Sequence, residues 1–210
     1  MRYYLMGLCL IAAVGCGRIN ETYKLEVDRR VATLKSSSAS YPQAEGAPLP
    51  LAVGQWAEYR LTGSNKRPGF TSYKVVGQQG SAFWVETTVT TYSGKQESRM
   101  LVDFGDRTDP AQIKVHSVVM RNNGKLVEYP PGTMQMMQSM WKPVLSNFVI
   151  DWSTSAPRED VSTGAGQFEG CYQRRMSLSV GPYHQDSDAW LRPAVPSSGI
   201  VKSAAIGKNP

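Results

Sequence analysis

The chain has 210 residues, 41% hydrophobic and 19% charged, with 23 basic residues against 17 acidic for a net charge of +6. That is enough chain, with enough apolar content, for one globular domain with a core of its own. The basic excess is mild and spread out, with no run longer than a pair such as Arg29-Arg30 or Arg174-Arg175; this excludes the concentrated patch of a nucleic-acid binder and leaves attraction to anionic lipid headgroups or wall polymers allowed by sign.

Arg2 precedes an almost wholly apolar run from Leu5 to Val14. The run is too short for a membrane-spanning helix, which takes about 20 apolar residues. It fits the apolar region of a secretory signal, typically about 7–15 residues behind a basic start. Ala12, Ala13 and Gly15 are small enough to admit a peptidase, and Cys16 follows directly. Ala13-Val14-Gly15-Cys16 resembles the lipobox of bacterial lipoproteins. The resemblance implies a signal peptide over residues 1–15 and a diacylglyceryl unit with an amide-linked chain such as palmitate on Cys16. The partner at this end is then the membrane, reached through the lipid. Gly17 stands where an Asp would suggest inner-membrane retention, which points to the outer membrane with the body facing the periplasm. An ordinary secretory signal cut near Gly15 or Gly17, with Cys16 incidental, is one plain alternative, and a buried N-terminal helix is another.

Cys9 leaves with such a signal and Cys16 takes the lipid, so Cys171 stays alone and the mature chain has no intramolecular disulfide. Between Gly170 and Tyr172, in a strand-like stretch, Cys171 suits a small core position.

Residues 16–50 read as the lipidated cysteine, a short amphipathic helix and a tether. Tyr23, Val27, Val31 and Leu34 recur at helical spacing, and Asn20 suits the N-cap. Ser36-Ser37-Ser38-Ala39-Ser40 and then Pro42, Gly46, Pro48 and Pro50 have the composition of a poorly ordered linker.

Residues 51–210 read as a single antiparallel β domain with one helix. From Leu51 the pattern has period two: Val53, Ala57, Tyr59 and Leu61 share one strand face. Further strands are expected over Phe70–Val76, with a turn at Gly77-Gln78-Gln79-Gly80, then over Ala82–Tyr92, Lys95–Asp103 and Gln112–Arg121. Asn122-Asn123-Gly124 is a hairpin signal, because Asn-Gly accepts positive φ at both turn positions, and Lys125–Tyr129 returns as its partner. Pro130-Pro131-Gly132 stops the sheet. Thr133–Trp141 reads as a methionine-rich helix with Thr133 as its cap, ending before Pro143. A long strand carries Phe168, Tyr172, Met176, Leu178 and Val180, and two short strands follow at Ala189-Trp190-Leu191 and Ile200-Val201-Lys202. Hairpins, one helix and more hairpins predict an α+β fold.

Gly166-Gln167-Phe168-Glu169-Gly170-Cys171-Tyr172, Ala189-Trp190-Leu191-Arg192-Pro193, Val195-Pro196 and Gly199-Ile200-Val201-Lys202 together are similar to a pattern of periplasmic and outer-membrane lipoproteins. They resemble the lipoprotein carrier and acceptor family. That resemblance implies a strongly curved antiparallel sheet, a half-barrel, wrapped over a helix and enclosing an apolar cavity. The methionine-rich helix is the segment that would cover the concave face. Met134, Met136, Met137, Met140, Trp141 and Phe148 are therefore the candidate cavity residues, because methionine repacks readily around differing apolar partners.

No catalytic or metal-binding motif is present: no Gly-x-Ser-x-Gly, phosphate loop, His-Glu-x-x-His or Cys-x-x-Cys. His116 shares a strand face with Lys114 and Val118, and His184 falls in an expected loop. Cys171, His184 and Asp186 form a triad only in imagination, and Asp103, Asp106 and Asp109 lack the closing Glu of a calcium loop. Glu58, Glu86 and Glu97 stand on separate strands. The reading is a non-enzymatic lipoprotein without a cofactor, binding an apolar ligand or lipoprotein acyl chain. The alternative is a structural subunit of an envelope protein complex.

Overall fold

A computed structural model describes residues 18–34, 36–46, 48–62, 66–107, 109–128, 145, 156–180 and 183–206. Its strands form two sheets. The second sheet contributes β1 (Ser40–Tyr41), the earliest strand in the chain. The first sheet is a six-stranded antiparallel meander: β2 (Trp56–Thr62), β3 (Pro68–Gln79), β4 (Ala82–Thr91), β5 (Gly94–Asp103), β6 (Lys114–Asn122) and β7 (Lys125–Glu128). The rest of the second sheet is β8 (Arg158–Thr163), β9 (Gly166–Val180), β10 (Tyr183–Leu191) and β11 (Ile200–Ile206). A helix, α1 (Glu21–Thr33), precedes the strands among the described residues. The chain is thus mostly β with a helix, as expected, but the strands are divided between two sheets. The strands from Arg158 onward pair among themselves and with β1.

Local chemistry sets the details of the meander. Asn123 (φ 47°) and Gly124 (φ 85°) form the two-residue turn that the sequence signals. The turn expected at 77–80 lies later, at Gly80-Ser81, and β3 runs on through Gln79. It does so by a bulge between Val75 and Gly77, where Trp84 packs against Gly77. A second bulge falls where Leu101 pairs with Ser117 and Val102 with Val115. It turns both Val115 and Val118 inward while Lys114 and His116 stay exposed. His116 therefore does not share a face with Val118, contrary to the simple alternation.

Two stretches were under-read. β8 carries one buried apolar residue, Val161, and β10 starts at Tyr183, so the backbone of His184 lies in a strand rather than a loop. Val53 precedes β2 and is exposed.

The helix begins on Asn20, whose extended backbone and side-chain Oδ1, accepting from Thr22 N–H at 3.1 Å, satisfy a free helix donor. Asn20 N–H itself donates to Tyr92 C=O at 2.8 Å, which fixes the start of the helix to the β4–β5 turn. Val27 is fully buried against the sheet, Arg30 pairs with Glu58, and its guanidinium lies 4.1 Å from the Phe70 ring centroid.

The segment expected to be a loose tether is docked along the body. Ser37 N–H donates to Gly164 C=O, β1 pairs with β9, and Leu49 N–H donates to Pro193 C=O. Arg192 donates to the carbonyls of Tyr41 at 2.9 Å and Pro42 at 2.6 Å. Arg107 donates to Leu49 C=O, and Arg158 forms a two-pronged pair with Glu45 at 2.7 and 2.9 Å. Three arginines distant in sequence hold a stretch whose own composition has no means of ordering itself.

Candidate functional site between the two sheets

The pleat of the meander places Ala57, Tyr59 and Leu61 of β2 on one face with Thr71 and Tyr73 of β3, Val85, Thr87 and Val89 of β4, and Ser98 and Met100 of β5. All of them line a cavity of about 1060 Å³. Phe168, Val195, Pro196 and Ile200 close it from the second sheet and its last turn, and Val31 and Leu34 of α1 border it. β-Branched and aromatic side chains on a pleated face leave an apolar wall, and the few polar groups are placed at particular points.

Tyr59 and Tyr73 meet edge to face, with centroids 6.1 Å apart. The Tyr59 hydroxyl donates to Ile200 C=O at 2.8 Å and lies 3.4 Å from Ser198 Oγ. Burial raises the pKa of Tyr59, partly offset by Ser198. Burial also pushes Tyr73 up to about 12, against a hydrogen bond with Thr71. Both phenols are thus neutral donors at any ordinary pH. Gln96, also on the cavity lining, has a buried Oε1 without a hydrogen-bond partner among the described residues. Arg192 is 8% exposed and sits beside the stacked rings of Tyr41 and Phe168, whose centroids are 4.5 Å apart. An apolar space with a few fixed polar groups is the usual form of a small-molecule site.

Cys16 and the cavity candidates Met134, Met136, Met137, Met140, Trp141 and Phe148 lie outside the described residues. Leu145, from the same stretch, is helical, 1% exposed and part of the cavity lining. Tyr59, Tyr73, Arg192 and Phe168 were not singled out as site residues. The alternation of Ala57, Tyr59 and Leu61 was the available signal for the first. Arg192 gave none, because its partners lie at residues 41 and 42.

The groups that invited a catalytic reading are dispersed. Cys171 is fully buried, and burial raises its thiol pKa. His184 pairs with Ser179 in the ladder; Ser179 is eight positions along β9 from Cys171, about 26 Å at 3.3 Å per residue. Asp186 is bonded to Ser177. Glu58, Glu86 and Glu97 form ion pairs with Arg30, Arg99 and Lys95, respectively. Asp103 accepts from Ser81 Oγ and Gly105 N–H, and Asp109 from Ala111 N–H, so both brace turns. Compared with protein-family models, with curated protein sequences and with solved structures, the chain matches none.

Proposed function

We propose that this protein is a lipid-anchored envelope lipoprotein, attached to the outer membrane through Cys16, that holds an apolar ligand or acyl chain without acting on it chemically. In this reading the two sheets together serve as a half-barrel wall around the ligand. The resemblance to lipoprotein carriers and acceptors implies that the methionine-rich stretch would serve as the cover. The observation that supports it most is the cavity of about 1060 Å³, slightly above the roughly 300–1,000 Å³ usual for ligand pockets. Neutral Tyr59 and Tyr73 suit a ligand with an uncharged polar group beside its hydrocarbon.

Native mass spectrometry of protein extracted in mild detergent tests the reading, together with saturable uptake of a fluorescent fatty-acid probe. A co-purified lipid and a one-to-one probe complex are expected. Absence of both would overturn ligand binding in favour of an assembly role. Metabolic labelling with palmitate tests the anchor, and the label should vanish in Cys16→Ser.

A further inference from the structure

The meander brings three of its connections to one end: Lys66 and Arg67 just before β3, Tyr92-Ser93 between β4 and β5, and Asn123-Gly124 between β6 and β7. The helix start joins them there, because Asn20 N–H is bonded to Tyr92 C=O. Basic residues that are scattered in sequence converge on this end. Arg18, Lys66 and Lys125 have no ion pair among the described residues. Asp28 and Glu97 are already engaged, the first by Lys24 at 3.0 Å and the second by Lys95 at 3.0 Å and Arg121 at 3.7 Å. Glu21 offsets one of the free cations. Two exposed apolar side chains stand among them, Ile19 (37%) and Leu126 (54%). The opposite end of the sheet differs in sign, with Asp103, Asp106 and Asp109 in and beside the β5–β6 connection.

We propose that this basic end of the six-stranded sheet rests directly on an anionic lipid leaflet. This placement depends on the N-terminal anchor proposed above. Cys16 precedes Asn20 by four residues, which span at most about 14 Å when fully extended. A lipid on Cys16 therefore leaves no room for the body to stand off, and the surface around Asn20 is the part of the protein nearest the bilayer. Lysine and arginine at such a surface are attracted by anionic headgroups, each contributing about fivefold in binding. Ile19 and Leu126 add apolar contact at the headgroup boundary. That pairing of free cations with exposed apolar residues fits a lipid surface better than a soluble polyanion.

The test is flotation of the full chain with vesicles of phosphatidylcholine alone or with one quarter phosphatidylglycerol, at low and high salt. Four forms are compared: the unaltered protein, Arg18→Gln/Lys66→Gln/Lys125→Gln, Cys16→Ser, and Lys114→Gln at the far end. The three-site variant touches only exposed side chains and should fold normally. The unaltered protein and Lys114→Gln should prefer the anionic vesicles, less so at high salt. The three-site variant should lose most of that preference, on the order of 100-fold. Equal binding to both vesicle types that disappears in Cys16→Ser would overturn the surface while leaving the anchor. Anionic preference that is lost in the three-site variant, with total binding lowered in Cys16→Ser, would uphold both the surface and the anchor. An unchanged preference in the three-site variant would also overturn it.

Discussion

The hydroxyl of Tyr59 donates to the carbonyl of Ile200 at 2.8 Å, across 141 positions of sequence. Tyr59 belongs to the first strand of the meander and Ile200 to the last strand of the other sheet. Each strand has a neighbour on one side only. This single bond therefore fastens two sheet edges together at the cavity wall, and the fold's two halves are coupled where a ligand would sit.

Tyr59→Phe keeps the ring and its contact with Tyr73 but leaves the Ile200 carbonyl without its donor. A loss of about 1–2 kcal/mol is expected, seen in urea as a lower midpoint with an unchanged slope. An unaltered midpoint would mean that the two edges are held by other contacts.

Thr87→Trp should reduce fatty-acid probe binding at least about tenfold, a loss of about 1.4 kcal/mol. Thr87 lies between Tyr73 and Ser98 on the cavity face and is only partly buried. The larger ring enters empty volume, so stability should move by less than about 1 kcal/mol. Full probe binding by a folded Thr87→Trp protein would place the ligand elsewhere.

Val27 is the residue by which α1 is seated. Val27→Ala should cost about 2 kcal/mol from the lost methyl groups and the space they leave. Val27→Asp should free the helix altogether, read as rapid amide exchange over residues 21–33. A helix that stays protected in the aspartate variant would show that Asn20, Asp28 and Arg30 suffice to hold it.

The Glu45–Arg158 pair carries the pH dependence of the docked segment. Hydrogen bonds from Arg158, then from Gln43, lower the Glu45 carboxyl to about 2, from an ordinary value of 4.5. A depressed carboxyl stabilises the docked form above pH 4.5, and that contribution is lost as pH falls from 4.5 through 2. Carbon-13 titration of the Glu45 carboxyl should show a midpoint near 2 in the folded protein and an ordinary one in Arg158→Gln. A midpoint near 4.5 in the unaltered protein would rule out the pair in solution.

Cys171 should be inert in the folded protein, since it is fully buried with its pKa raised by that burial. A chromogenic disulfide reagent should find no thiol in the native mature protein and one per chain after unfolding. Two thiols after unfolding would reveal Cys16 as unmodified.

The sequence made legible those features whose cause is local. Asn123-Gly124 specifies its own turn, and the alternation from Ala57 to Leu61 identifies the inner face of β2. Cys171 between strand-forming neighbours was rightly placed in the core. What escaped was determined at long range. Arg-Glu-Asp-Val-Ser-Thr at 158–163 carries no strand pattern because only Val161 needs burial, and it becomes a strand because β9 offers a ladder. The serine- and proline-rich stretch before β2 looks free because none of its residues reveals that Arg107, Arg158 and Arg192 will reach it. Among the cavity residues, the aromatic wall follows from strand periodicity, whereas the position of Arg192 depends on carbonyls at the other end of the chain.

That last dependence sets an order of events in folding. The carbonyl of Tyr41 meets the guanidinium of a residue made 151 positions later, so a chain synthesised from its N-terminus holds the carbonyls of Tyr41 and Pro42 without this partner until nearly all of it has emerged. Contacts of such sequence separation form slowly because the intervening loop must close first. During that interval the apolar faces of the meander remain open to wrong partners. Maturation should accordingly finish late, once β1 has paired with β9 and Arg192 has closed onto the carbonyls of Tyr41 and Pro42.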